Sequence, residues 1–573
     1  MLRRWAAGGG AASMRKLDEL LWNLAVRFER LPLSYKTLLG TPRRVEVTPL
    51  HHGSVLWYKS IRETLNGMNL EQYLVRYRNI NIDINMDGLQ LSRSSDLKFW
   101  HILGWLVGSE NPPFVIGIYL GKKDPDDVYA YLHDLVLELN DLQQHGYLHN
   151  DTIFPFAVRN YILDAPARAF IKCCVLYNSY CACEKCCVIG EWVEDRMTFS
   201  TLDAALRTDE SYNNQEQPQH HMGISPLQEI GTGMVSQFRL DPLHLVYIGV
   251  FKRLLEALLY WHGNFSLHWT TVNAISRKLE SLNATRPSDF NREVRGLKHF
   301  KHFKASEFRR LCHYDSILVF RDHVNNNVYR HFLLLYVGLY ILAHPALAKL
   351  QHWRDYAHEM LVNFITHSRE IYGQKFVVYN VHCLSHLSKE CEDQNLSLIE
   401  FSAFMFECFL GVLKGMLNSF NRPCQQAACR LIERMHFIQD VKLPPEGLNV
   451  SPEMEYVNDD MPGRHFRKIT IGKFTLQING KDHCFKSHDE EVIILEDIVQ
   501  NEDGTVQLVG KCFLQKNDFF QYPLPSSHLG IFSVANLDDQ AKVFEPADVA
   551  GKCWLMPDGN SFCCVPILHT SSQ

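Results

Sequence analysis

Alternating apolar and polar positions predict the first long strand of a sheet. In NINIDINMDGL (residues 79–89), isoleucine and methionine alternate with polar residues. We therefore expect one buried face, while Asp83, Asn85 and Asp87 share the other face.

The next apolar runs extend this pattern into a mixed sheet. FVIGIYLG (residues 114–121) and residues 156–163 each read as a strand, and the second ends at Asp164. Between them, Asp124 and Pro125 should begin an amphipathic helix that reaches about Gln144. Strands joined by a helix predict an α/β fold with a mixed sheet.

The remaining pattern divides the chain into successive regions. Helical periodicity dominates from Thr201 to about Gln439, and short alternating runs with an Asn479-Gly480 turn follow a Pro- and acid-rich linker. The predicted regions are an N-terminal helical and extended segment (1–75), the first part of a catalytic core (76–200), a helical insertion (201–395), final catalytic helices (396–440), a linker (441–465) and a small C-terminal β-barrel or β-sandwich (466–573).

Composition narrows the class of protein. The chain has 573 residues, of which 46% are hydrophobic and 21% charged, as in soluble proteins of several domains. The longest apolar run, residues 332–343, stops at His344 and Pro345 before it could span a bilayer of roughly 30 Å, so we expect no membrane partner. Seventeen cysteines lack the spacing of a small secreted scaffold, which favours a reducing compartment and metal binding.

The charge distribution favours only local contact with nucleic acid. A net charge of -6 argues against coating of DNA by bulk electrostatics. Residues 286–310, in contrast, carry eight Lys or Arg against three Asp or Glu, interleaved with phenylalanines. The alternative is a solvated helical face with aromatic anchors. The candidate DNA contacts in this segment are Lys298, Lys301, Lys304, Arg309 and Arg310.

Three acidic residues are candidates for a two-metal site. Asp87 and Asp164 end predicted strands, and Glu407 lies in a helix rich in Phe, Met and Leu, where an unpaired charge is costly. Clustered carboxylates hold the divalent ions that drive phosphodiester chemistry. The alternatives are turn or cap roles for the aspartates and a solvent-facing position for Glu407. Lys414, seven residues on and close to the same helical face, is a candidate phosphate contact.

Two short motifs indicate a zinc site. Cys183 and Cys186 have C-x-x-C spacing, and His382 and His386 lie four residues apart, so that on a helix both imidazoles share one face. Together they could form a Cys2His2 site that joins distant parts of the chain. The alternative is two core cysteines and two ordinary histidines.

Several motifs in order resemble the CACTA-like superfamily of DDE/D transposases and their animal transposon-derived relatives, with a more distant likeness to the recombination-activating recombinase. The matching pieces cover roughly residues 40–440: MDGLQLSRSSDLKFW, LDAPARAFIKC, CEKC followed by GEW, HHMGISPL, LDPLHLVYIGVFKRLL, YNVHCLSHL and FSAFMFECFLGVLK. One departure lies before the C-x-x-C motif, where relatives tend to have Gly-His-x-Gly and this chain has LYNSY, with Tyr177 in the His position.

The resemblance implies an RNase H-like mixed-sheet core interrupted by a large all-helical insertion. It implies Asp87, Asp164 and Glu407 as ligands of Mg²⁺ or Mn²⁺. Asp83 is a substitute for the first acid, because it shares the outward face of the same predicted strand. It implies Zn²⁺ on the four Cys and His residues named above. In LDPLHLVYIGVFKRLL, His244 is a candidate for lining the DNA cleft, and helix capping by Asp241 is the simpler interpretation of that motif.

These observations predict a nuclear DDE-type transposase that cleaves DNA and transfers strands. Its partners would be double-stranded DNA, both transposon ends and target, and a second copy of the chain. Two alternatives stay open. One is a catalytically silent DNA- or chromatin-binding adaptor, favoured by Tyr177 and by our finding no N-terminal zinc-finger-type module. The other is a zinc hydrolase, although such sites usually keep one position open.

Overall fold

The computed structural model describes residues 2–7, 13–92, 95–417, 421–435, 439–445, 447–454 and 461–568. The strands are β1 (Thr48–Pro49), β2 (Val55–Tyr58), β3 (Met68–Asn69), β4 (Ile80–Ser92), β5 (Ser95–Leu106), β6 (Phe114–Gly121), β7 (Tyr147–His149), β8 (Thr152–Phe154), β9 (Phe156–Leu163), β10 (Glu191–Val193), β11 (Arg196–Thr198), β12 (Phe238–Leu240), β13 (Gln439–Asp440), β14 (Leu448–Glu453), β15 (Arg464–Ile471), β16 (Phe474–Gln477), β17 (Cys484–Ser487), β18 (Val492–Gln500), β19 (Val506–Asp518), β20 (Phe532–Phe544), β21 (Val549–Asp558) and β22 (Ser561–Pro566).

The helices are α1 (Leu2–Ala7), α2 (Met14–Ala25), α3 (Tyr35–Leu39), α4 (Ile61–Asn66), α5 (Glu71–Tyr77), α6 (Val128–His145), α7 (Ala165–Lys172), α8 (Asp209–Asn213), α9 (Lys252–Tyr260), α10 (Trp269–Leu282), α11 (Ala305–Arg310), α12 (Ser316–Arg321), α13 (Asn326–Ala343), α14 (Gln351–Tyr372), α15 (Tyr379–His382), α16 (Leu387–Gln394), α17 (Phe404–Gly415) and α18 (Pro423–Met435). Two π-helical segments, Leu243–Phe251 and Leu311–Asp315, lie among them.

The chain forms two units. Unit 1 contains residues 1–176, 208–239 and 403–443, and unit 2 contains residues 177–207, 240–402 and 444–573. The elements and their pairing confirm that the fold is mixed α/β with many helices and a C-terminal all-β sheet. Among the described residues no single helix is long and apolar enough to cross a membrane, although the segments 379–394 and 398–415 meet that criterion when taken together.

Unit 1 is built on a seven-stranded mixed sheet. Its strand order is β1-β2-β6-β5-β4-β9-β12; β4, β5 and β6 run antiparallel, and β9 lies parallel to β4. The even-numbered apolar residues of β4 share one core with residues of α6 and α7. The predicted strands at 114–121 and 156–163 are confirmed with those bounds.

Two expectations about this sheet were wrong. Asp83 and Asn85 are buried, because β4 is a central strand covered on both faces. Helix α6 begins later than predicted, because the side chain of Asp127 accepts the N–H of Ala130 and caps it. Asp124 instead accepts hydrogen bonds from Lys98 and Trp100.

Unit 2 combines a helical block with a second sheet. Helix α13 is buried along nearly its whole length, which accounts for its continuous apolar sequence. In the C-terminal sheet, strands β18, β17, β21, β22, β20 and β19 pair in that order and β19 pairs again with β18, so six antiparallel strands close on one another. The sheet begins at β14, inside the segment predicted to be a linker.

Candidate functional site

The four predicted zinc ligands lie together in unit 2. Cys183 and Cys186 belong to the loop between α7 and β10, His382 ends α15, and His386 ends the 3-10 turn that follows it. All four side chains are buried, and one donor atom from each lies within 4.8 Å of the others. The fold therefore brings together donors about two hundred positions apart in the chain.

The donor spacing fits one tetrahedral zinc ion. Cys183 Sγ is 3.4 Å from His386 Nε2, Cys186 Sγ is 3.3 Å from His382 Nε2, and the two Nε2 atoms are 3.3 Å apart. Zn–S bonds of about 2.3 Å and Zn–N bonds of about 2.0 Å place tetrahedral S and N donors about 3.5 Å apart and two N donors about 3.3 Å apart. The group is thus compatible with zinc in its donor types, count and distances.

Polar contacts fix the loop that carries the two cysteines. Arg207 Nε donates to the Cys183 carbonyl at 3.0 Å, and Tyr379 donates to Glu184 at 2.9 Å. The spacing of the four ligands did not reveal these supporting residues. Burial raises the pKa of the Cys183 thiol, but hydrogen bonds with Cys186 and Cys383 and the positive potential of His386 outweigh burial and lower that pKa.

A buried ion pair holds the same loop from its other side. Lys185 Nζ lies 2.6 Å from Glu390 Oε1, and both side chains are almost fully buried. Glu390 Oε2 also accepts the Leu240 N–H. Removing either charged partner would leave the other buried without compensation, which is strongly destabilising. Lys185 lies between the two cysteines of the C-x-x-C motif. A charged residue at that position could have indicated that the loop also takes part in an ion pair.

Tyr177 lies at the beginning of this region. Its side chain is 47% exposed, and its ring centroid is 6.4 Å from that of Tyr379. The residue that replaces the expected His is therefore a partly exposed aromatic neighbour of the helix that carries His382.

Two of the three predicted acids come together in unit 1. Asp87 lies in β4 and Glu407 in the first turn of α17, and their carboxylate oxygens are within 4.8 Å of each other. Both side chains are partly exposed to solvent. A hard divalent cation, which prefers oxygen ligands, would offset their repulsion.

Asp164 directly follows β9, the strand that pairs with β4 in parallel. Strands β4 and β9 pair Ile84 with Tyr161, and Asp87 and Asp164 each follow that pair by three residues. One Asp164 oxygen accepts the Ala167 N–H at 2.8 Å and caps α7. Asp164 is thus a helix cap in this structure, and its second oxygen is the atom that a metal ion could use.

Asp83, the substitute first acid, has a structural environment. It is 1% exposed and makes a bidentate ion pair with Arg159, of which one bond is 2.9 Å long. Burial raises its pKa, and Arg159 opposes that effect. A buried, paired carboxylate is poorly placed to bind a metal ion, so Asp87 is the stronger candidate.

The other predicted DNA contacts differ in accessibility. Lys298, Lys301 and Lys304 are exposed, and Arg309 is half-buried. In unit 1, Lys414 is exposed and its Nζ donates to the Gln90 carbonyl at 3.1 Å.

Arg310 corrects the prediction for this basic segment. It is 1% exposed, pairs with Asp315 through two hydrogen bonds, and lies 4.7 Å from the ring centroid of Trp554 in the C-terminal sheet. A DNA phosphate cannot reach a guanidinium enclosed in this way. Arg310 instead joins the helical block to the C-terminal sheet.

His244 lies in unit 2 at the beginning of a π-helical segment. Asp241 accepts the N–H groups of Leu243 and His244, as expected of a helix cap. Its Oδ2 is also 2.6 Å from His244 Nδ1. The His244 ring is therefore oriented by Asp241, while part of it stays exposed.

Comparison with known proteins assigns only the C-terminal part. A family model described as a domain of unknown function (DUF8592) matches residues 452–567. No curated protein matches the chain. The match concerns the strands from the end of β14 to β22 and includes none of the acids or zinc ligands.

Proposed function

We propose that this chain is a DDE-type DNA transposase of the CACTA-like superfamily, which cleaves DNA strands and joins them to a target. The observation that carries the proposal is the approach of Asp87 and Glu407, 320 positions apart in the sequence, to within 4.8 Å. The position of Asp164, directly after the parallel neighbour β9, supports the same triad.

The layout of the elements supports an RNase H-like core. The resemblance implies a first acid on a strand, a second acid after a neighbouring strand, a helical insertion and a last acid on a helix. Here Asp87 lies in β4, Asp164 follows β9, helices α9 to α16 intervene, and Glu407 lies in α17. Each part of that description has a counterpart in this chain.

Under this proposal, Asp87, Asp164 and Glu407 hold two Mg²⁺ or Mn²⁺ ions. When bound, such ions activate the attacking oxygen and offset the charge that develops on the phosphate. The carboxylates position the reaction. Water adds to phosphorus and the 3′-oxygen leaves, and the free 3′-hydroxyl then attacks a target phosphodiester and expels its 3′-oxygen. Lys414, the second-last residue of α17, would hold a phosphate of the DNA backbone.

We assign zinc to Cys183, Cys186, His382 and His386 as a structural ion. Four buried protein ligands leave no open coordination position, which argues against a zinc hydrolase. The proposed setting is the nucleus, with double-stranded DNA and a second copy of the chain, because two transposon ends must be handled together.

A strand-joining assay tests the proposal. Purified protein, Mn²⁺ and labelled duplexes with free 3′-hydroxyl ends are incubated with supercoiled plasmid, in parallel with the Asp87→Asn variant. We expect labelled plasmid with the unchanged protein and none with the variant. If the chain is a silent adaptor, the unchanged protein and the variant will both bind the duplexes, and neither will join them to the plasmid. That outcome would reject the transposase proposal.

A further inference from the structure

Unit 1 contains an apolar groove beside the helix that carries Glu407. The groove has a volume of about 320 Å³. Its walls come from the end of β5, the turn before β6 and helix α17. The lining residues that matter for recognition are Trp105, Pro112, Pro113, Met405, Phe409 and Val412.

A smaller chamber of about 100 Å³ adjoins this groove. Three residues line both the groove and the chamber, so the two spaces are adjacent: Pro112, Pro113 and Phe409. The chamber is different in character, because Lys59 and Arg434 contribute cationic side chains to its wall.

The charge of Lys59 is only partly compensated within the chain. Its side chain is only 7% exposed, and within the described part of the chain it has no hydrogen-bond or ion-pair partner. Burial lowers its pKa to about 8, and the more distant Glu63 only partly opposes that effect. Burying a cation without a partner is costly, so this arrangement favours an anion from outside the chain.

Arg434, which is half-buried, adds a second positive charge. Burial lowers its pKa, with Glu433 opposing. Glu433 is itself engaged by Arg430 and Thr41. Among residues with described positions, no side chain pairs with Arg434. Two cationic residues that line one small chamber provide hydrogen-bond donors for an oxyanion.

We propose that unit 1 binds a small amphipathic oxyanion, with its charged group between Lys59 and Arg434 and its apolar part along Trp105, Phe409 and Val412. The ligand class is an organic acid with an aliphatic or aromatic body. The groove alone is at the lower end of the usual size for small-molecule sites. Phe409 lies two residues from Glu407, so the bound ligand contacts the helix of the proposed metal site. The inference does not depend on the transposase proposal.

Calorimetric titration of the full chain with three probes tests this site. The probes are octanoate, the uncharged 1-octanol and inorganic phosphate. We expect octanoate to bind at least about tenfold more tightly than either of the others, since only octanoate offers both the charge and the apolar body. Equal affinities for octanoate and 1-octanol would overturn the cationic chamber. Equal affinities for octanoate and phosphate would overturn the apolar groove.

Substitutions separate the two halves of the site. Lys59→Met should weaken octanoate binding about tenfold or more and leave 1-octanol unchanged. Val412→Glu alters an exposed groove residue; it should weaken octanoate binding and leave phosphate unchanged. Lys122→Met, which removes an exposed lysine elsewhere in unit 1, is the matched control and should change nothing. Octanoate binding that survives both Lys59→Met and Val412→Glu would place the ligand elsewhere and overturn the proposal.

Discussion

The zinc-compatible group of unit 2 and the acidic pair of unit 1 are assembled to different degrees. The four Cys and His donors are buried at separations that match one tetrahedral ion. Asp87 and Glu407 are partly exposed and only within 4.8 Å, and Asp164 caps a helix. One group has the spacing of a closed metal site, and the other is open to solvent.

The chemistry of the donors explains this difference. Thiols and imidazoles can be neutral, so a fold can gather them in its interior without a large electrostatic cost. Carboxylates at neutral pH repel one another and need water or cations nearby. The folded chain alone can therefore bring the donors of a structural zinc site into place. The carboxylates of an acidic site reach their final geometry only when cations and substrate are bound.

The largest expected effect comes from removing a zinc ligand. Cys183→Ser should lower the zinc content from one ion per chain to none and destabilise unit 2 by several kcal/mol, since structural zinc contributes about 10–16 kcal/mol in small domains. Elemental analysis and calorimetry measure both quantities. Cys187→Ser, at a neighbouring half-buried cysteine, is the control and should retain zinc. Equal zinc content in the two variants would remove Cys183 from the site.

Neutralising an acid should abolish joining and leave the fold intact. We expect Asp87→Asn and Glu407→Gln each to reduce strand joining at least about 10³-fold, equivalent to roughly 4 kcal/mol of transition-state stabilisation. Thermal stability should stay the same or rise, because repulsion between the two carboxylates is relieved. Glu71→Gln, at an exposed helix residue, is the control. A matching loss of stability in both variants would indicate that these acids are structural.

The pH dependence of unit 1 provides a third, smaller test. His101 lies opposite Asp87 in β5 and is fully buried, and burial lowers its pKa to about 3. Because this folded-state pKa lies below the unfolded value of about 6.5, the unfolded chain binds more protons between these values. The stability linked to His101 is thus present above about pH 6.5 and is lost as the pH falls toward 3.

Denaturant unfolding at several pH values measures this contribution. His101→Gln should reduce the slope of unfolding free energy against pH by about 1.4 kcal/mol per unit within that window. His133→Gln, at an exposed histidine of α6, should leave the slope unchanged. An unchanged slope for His101→Gln would mean that His101 takes up a proton while folded.

The smallest expected effect concerns the basic segment of unit 2. Replacing Lys298, Lys301 and Lys304 with alanine should reduce the slope of log binding constant against log salt by up to about 2.7, at about 0.9 per phosphate contact. Arg310→Met should leave that slope unchanged and lower stability, because Asp315 would lose its buried partner. A salt titration that gives both proteins the same slope would exclude the three lysines from DNA binding.

The sequence predicted those parts of the fold that have local periodicity. The apolar runs of β6 and β9 gave the correct bounds, and C-x-x-C with H-x-x-x-H indicated a donor group that the fold does assemble. Motif spacing predicted this donor group because metal chemistry restricts both the donor types and the length of the loop between them.

Long-range contacts account for the features that the sequence could not reveal. The alternation in β4 suggested an exposed polar face, but Arg159 from β9 pairs with Asp83 and helps to bury it. The charge of Arg310 suggested DNA, whereas Asp315 and Trp554 enclose it. The sequence could not have shown that the Lys59 side chain lacks a partner either. Its surroundings depend on how α17 and α18 pack against the sheet.

Manganese binding tests the central claim most directly. Zinc-loaded protein is titrated with Mn²⁺ in the presence of DNA carrying a free 3′-hydroxyl, and bound Mn²⁺ is counted by electron paramagnetic resonance. The account predicts two Mn²⁺ ions per chain, with binding lost in Asp87→Asn and in Glu407→Gln while zinc is retained. Mn²⁺ binding that is absent, or that is the same in both variants as in the unchanged protein, would contradict it.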